Sequence, residues 1–99
     1  MAKKRPKLDT EAVEAWLKDR RGWKLKDEVL SKEFKFKSFR DSIVFTNRVA
    51  TIADDSNHHP DIDIRYNKVT LHLTTHDSGG ITDKDLEMAK AVDFATSAR

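Results

Sequence analysis

The chain has 99 residues, no cysteine, and 19 Lys and Arg against 17 Asp and Glu, for a formal net charge of +2. That length predicts one domain, residues 1–99, with a core modest enough for an oligomer to be a natural supplement. The missing cysteines exclude a disulfide framework and a thiolate metal site. No apolar run approaches the ~20 residues that span a bilayer and no signal peptide is visible, so a cytoplasmic protein is expected.

The first eight residues read as a basic flexible tail. Lys3, Lys4, Arg5 and Lys7 carry four positive charges, so the remainder of the chain carries −2. A near-neutral body is no nucleic-acid platform. The tail reads as a frayed terminus, as a phosphate-binding tail, or as a nuclear-import signal that would extend the location to the nucleus.

Asp9 or Thr10 caps a first helix, with Ala12, Val13, Trp16 and Leu17 as its apolar stripe and Gly22 ending it. From Trp23 to Phe36 the period changes to two. Leu30, Lys32, Phe34 and Phe36 share one face, and Asp27-Glu28 reads as the turn of an antiparallel hairpin. Ser38 and Asp41 form a capping-box pattern for a second helix that runs to Asp55 or Ser56. Its apolar side comprises Phe39, Ile43, Phe45, Val49, Ala50, Ile52 and Ala53, with Val44 alone on the opposite face.

Pro60 stops that helix and biases His59 toward extended backbone. Ile62, Ile64 and Tyr66 alternate as a third strand. Asn67-Lys68 is the expected tight turn, since Asn tolerates the left-handed conformation. Val69, Leu71, Leu73 and Thr75 give the core face of a fourth strand, with His72 on the solvent face. Ser78-Gly79-Gly80 breaks the sheet pattern, and the weak anion-loop reading of these glycines lacks a following Walker-type lysine. Thr82 caps a third helix with Asp85 at the capping-box position, and Ile81 and Leu86 are spaced as a hydrophobic staple. Leu86, Met88, Ala89, Val92 and Ala95 form its buried stripe, with Phe94 off it. The order helix-strand-strand-helix-strand-strand-helix predicts an α+β fold, a four-stranded antiparallel sheet with three helices packed on one face.

Three of the four histidines, His58, His59 and His76, stand at element junctions. Pairing of the third and fourth strands around their turn brings Asn57, His58 and His59 near His76 and Asp77. A free imidazole titrates near pH ~6.5 and can both give and take protons, so the cluster reads as an acid–base cleft. A zinc site completed by Asp54 or Asp77 fits numerically but lacks ligand spacing. A third reading makes them polar loop residues with no chemical task.

The run Asp54-x-x-x-His58-His59-Pro60, then Tyr66-Asn67-x-Val69, then Thr74-Thr75-His76-x-x-x-Gly80-Ile81-Thr82-x-x-Asp85 resembles pterin-4a-carbinolamine dehydratases. Gly22-Trp23, Phe34-x-Phe36-x-x-Phe39 and Phe45-x-x-Arg48-Val49-Ala50 extend the resemblance, from about residue 10 to the C-terminus. Asp54 stands where animal members have Glu, and Asn57 where they have Asp. The resemblance implies dehydration of 4a-hydroxytetrahydropterin to quinonoid dihydropterin, in service of an aromatic amino acid hydroxylase, with no cofactor or metal. It implies His58, His59 and His76 as catalytic residues. Asn57, Thr74, Thr75 and Asp77 become pterin contacts, and Asp54 and Asp85 become supporting carboxylates. It further implies a homodimer or homotetramer. The alternative it carries is a non-catalytic dimerisation cofactor or binding module for a transcription regulator.

Overall fold

The computed structural model describes residues 6–97. The basic stretch 1–5 lies outside the described residues. Helix α1 spans Thr10–Leu17, strands β1 and β2 span Lys24–Lys26 and Val29–Lys35, and helix α2 spans Phe39–Ser56. Strands β3 and β4 span Asp61–Arg65 and Lys68–Leu73, and helix α3 spans Asp83–Ser97. The four strands form one antiparallel sheet in the order β1-β2-β4-β3, so β4 sits inside and β3 forms an edge. This is the expected α+β architecture. Among the described residues no helix is long and apolar enough to cross a membrane.

Alternation decides which sheet face is covered. Leu30, Phe34, Val69, Leu71 and Leu73 project to one side. They meet Val13 of α1, Phe45, Val49 and Ala53 of α2, and Met88, Ala89 and Val92 of α3 in a single core. Each buried Val, Leu, Phe or Met among them contributes roughly 1.5–3 kcal/mol of burial, the two alanines less. Lys32 shares that face. Its ammonium lies over the Trp23 and Phe34 rings and donates to Asp93 Oδ1 at 2.8 Å, while Trp23 Nε1 donates to Asp93 Oδ2. His72 projects to the helix-free face, between Ser31 and Asp61.

Local chemistry sets the boundaries. Ser38 Oγ accepts from the Asp41 amide at 3.1 Å to open α2, satisfying a donor that the first turn leaves unpaired. Asp27 and Glu28 both hold positive φ, 52° and 64°, in the two-residue turn between β1 and β2.

Several expectations are corrected. The second hairpin turns at Tyr66-Asn67, one residue earlier than expected, because Arg65 pairs with Lys68. Tyr66, not Asn67, takes the left-handed conformation, φ 54°. Asn67 is engaged elsewhere: its Nδ2 donates to the Phe36 carbonyl, and its own carbonyl accepts from the Phe36 amide. Helix α1 ends at Leu17, well before Gly22. Ala12, Phe39 and Ala50 are exposed despite their apolar spacing. Phe39 opens α2 beyond the end of the core and stacks on Tyr66, ring centres 6.5 Å apart. Lys7 and Leu8, read as tail, are held in place. The Leu8 amide donates to the Ile81 carbonyl at 2.8 Å, its side chain packs on the core, and Lys7 pairs with Glu28.

Candidate active site

The site begins where α2 ends. Asn57 adopts the left-handed conformation, φ 51°, and the His58 amide donates back to the Ala53 carbonyl at 3.1 Å. This is the Schellman-type ending in which a left-handed residue lets the following amide satisfy an orphan carbonyl. The chain reverses there, and the His58 ring comes back against the first turn of α3. His58 Nε2 lies 2.6 Å from Asp85 Oδ1.

Asp85 is fully buried and its carboxylate accepts three hydrogen bonds. Its Oδ2 accepts from the Thr82 amide at 2.9 Å and from Thr75 Oγ1 at 2.8 Å. The Thr75 proton being given to Asp85, the Thr82 hydroxyl donates to Thr75 Oγ1 across 2.9 Å, and Thr82 Oγ1 accepts from the Lys84 amide at 3.2 Å. The capping box expected from Thr82 and Asp85 is thus present, and its carboxylate has a second partner in the histidine. Burial of a carboxylate is costly unless such donors replace water. A carboxylate is an acceptor only, so Nε2 of His58 carries the proton and Nδ1 is the nitrogen not engaged by Asp85.

His59 stands differently. Its Nε2 lies 3.0 Å from Asp54 Oδ1, with side chains 60% and 77% exposed. His76 opens a 3-10 turn, His76–Ser78, closed by Gly79 at φ 78°. It is exposed, and among the described residues no hydrogen bond holds its ring. Thr75 pairs with Gly80 across this turn, fixing the ends of the loop. Thr74 Oγ1 donates to the Glu28 carbonyl at 2.8 Å, which ties the loop to the β1–β2 turn.

These pieces border one open cavity of about 410 Å³, lined by Asn57, His58, His59, Thr74, Thr75, His76, Asp77 and Lys84. All three junction histidines and all four expected pterin contacts therefore meet on one concavity. Asp85 lies behind its wall, and Asp54 is bonded to His59. The shifted β3–β4 turn does not undo the convergence, because the observed register differs from the expected one by an even number of residues and keeps every side chain on its face. Among the described residues no cluster of three His, Asp or Glu side chains has the geometry to hold a metal ion. Lys84 is the wall residue that sequence reasoning missed. It stands beside the capping Asp85, where a lysine reads as ordinary helix surface. The signal available was its adjacency to a carboxylate that faces inward.

The family model described as pterin 4 alpha carbinolamine dehydratase matches residues 6–95. A protein of Sulfurisphaera tokodaii is 49% identical over 88% of this chain and 94% of its own length. One of Metallosphaera sedula is 47% identical over 89% and 92%. Both are named "Putative pterin-4-alpha-carbinolamine dehydratase". Among solved structures, the transcriptional coactivator/pterin dehydratase from Brucella melitensis superposes with a TM-score of 0.84 at 31% identity, covering 88% of this chain and 95% of that one. A model matched over nearly the whole chain, together with relatives close to half identical over most of their length, means that this chain belongs to the pterin-4a-carbinolamine dehydratase family of hydro-lyases.

Proposed function

We propose that the chain dehydrates a 4a-hydroxytetrahydropterin by histidine acid–base catalysis. The observation that carries this reading is the His58 ring, tied at Nε2 to the fully buried Asp85 on a cavity shared with His59 and His76. The reaction breaks the C4a–O bond, and the hydroxyl leaves as water. One proton is added to that oxygen and one is removed from N5, so the quinonoid dihydropterin forms with no redox change. A donor and an acceptor on different walls of one cleft suit such an elimination. His58 or His59 supplies the proton to the departing hydroxyl, and His76 takes or orients the proton at N5. Asn57, Thr74, Thr75 and Asp77 hold the polar edge of the ring through backbone and side-chain groups at the strand end.

The substrate class is the product of aromatic amino acid hydroxylation, which places a pterin-dependent hydroxylase upstream. A homodimer or homotetramer is the proposed assembly.

The test is the ultraviolet decay of a 4a-carbinolamine generated in situ. Wild-type protein should accelerate it. His58→Ala and His76→Ala should each lose at least about tenfold, the lower reach of a positioned acid or base, with an unchanged circular dichroism spectrum. Full activity in both variants would remove the catalytic reading. If folded wild-type protein leaves the decay unaltered, the binding-module alternative takes its place.

A further inference from the structure

Lys84 belongs to the cavity wall, and the proposed dehydration assigns it no role. It stands in the first turn of α3, one position before Asp85, and is half-buried. Its amide is engaged by the Thr82 cap, and Lys84 lines the same cavity as the three histidines. Lys7 and Lys32 each have a carboxylate at 2.8 Å. Among the described residues Lys84 has none within ion-pair distance. A lysine so placed offers three donors and a full positive charge to whatever enters.

A pterin ring is uncharged at neutral pH, and its elimination of water moves protons only. Neither the ring nor the reaction asks for a fixed cation. Where a reduced pterin carries a charge at neutral pH, it does so on the substituent of the reduced half of the ring, and a substrate in this open cavity of about 410 Å³ shares it with Lys84. We infer that Lys84 recognises an anionic group, phosphate or carboxylate, on that substituent, so that this chain favours pterins with an anionic tail over pterins with a neutral one. The inference rests on the pterin reading of the site and narrows its substrate class.

Two probes that differ only in the charged group test it: 6-hydroxymethyl-7,8-dihydropterin and its monophosphate ester, titrated calorimetrically against the whole protein. A charge-assisted contact predicts that the ester binds about tenfold tighter, and that the preference shrinks as salt is added. In Lys84→Gln the ratio of the two affinities should fall to within about twofold. Lys84→Arg, which keeps the charge, should retain the preference. Equal binding of the two probes by wild-type protein overturns the inference, as does a preference that survives in Lys84→Gln. Binding of neither probe to the folded wild type is a separate outcome: it removes the pterin reading itself and this inference with it.

Discussion

Asp85 and Asp54 each hold one histidine, in opposite surroundings. Asp85 is fully buried and accepts three donors; the Asp54 side chain is 77% exposed and, among the described residues, its carboxylate pairs with His59 alone. An amide in place of Asp85 has a single acceptor oxygen and two unwanted protons, and it cannot satisfy Thr82, Thr75 and His58 together. Asp85→Asn should therefore cost about 1–3 kcal/mol of stability through unsatisfied buried donors and reduce kcat at least about tenfold. Asp54→Asn removes a solvent-screened pair and should change stability by less than about 1 kcal/mol. Thermal denaturation of the two variants side by side checks the contrast. At this scale the sequence pattern was legible where one residue type has one task, as at Ser38. It was less legible where a residue has two, as at Asp85, whose capping role is local and whose histidine contact is 27 residues distant in the chain. Lys84 escaped notice because helical spacing says which face is apolar, not which polar residue overlooks a cleft.

The segments that carry the site are the short junctions between elements, and their turns bear the conformational cost. Gly79 closes the turn that presents His76 at φ 78°, in open space, where an added Cβ meets nothing within 4 Å. Gly79→Ala thus isolates backbone strain from crowding. It should cost about 1–2 kcal/mol and lower the melting temperature by roughly 4–8 °C per kcal/mol in a domain of this size, which scanning calorimetry will read. Neighbouring Gly80 has a different constraint: a Cβ there would stand 2.6 Å from Glu28 Oε1 and 2.7 Å from Lys7 Cε. That close approach is how the segment before α1 and the β1–β2 turn press on the loop between His76 and α3. Helix periodicity and strand alternation made the three helices and four strands visible in the sequence, but not the 3-10 turn His76–Ser78, whose first residue was read as the end of the fourth strand. The second hairpin turn was displaced by one residue because Tyr66 continues the alternation of Ile62 and Ile64, and Asn67 is the better left-handed residue taken alone. The tertiary bonds from Asn67 to Phe36 decide otherwise.

Across the whole molecule, the sheet order leaves β3 with one unpaired edge. Ile62 and Ile64 lie on the core face opposite Leu71 and Val69, yet on this edge strand they are 38% and 37% exposed. Open edges with apolar side chains invite pairing unless they are covered. Sedimentation at micromolar concentration should show a dimer or tetramer. A monomer alone at that concentration would overturn the proposed assembly. The layer architecture was legible from period alone, since helices and hairpins alternate in the chain. The order of strands was not, because it depends on β2 choosing β4 as its second neighbour, a choice made by packing across the core.

One carboxylate closes the first turn of α3 and grips the His58 ring. Active-site groups commonly weaken the fold that carries them, so that improving one property erodes the other. Under the proposed mechanism that opposition is absent at Asp85. The same three accepted hydrogen bonds hold the helix start, the site loop and the histidine, so selection for a more durable protein and selection for a better-ordered imidazole favour the same residue.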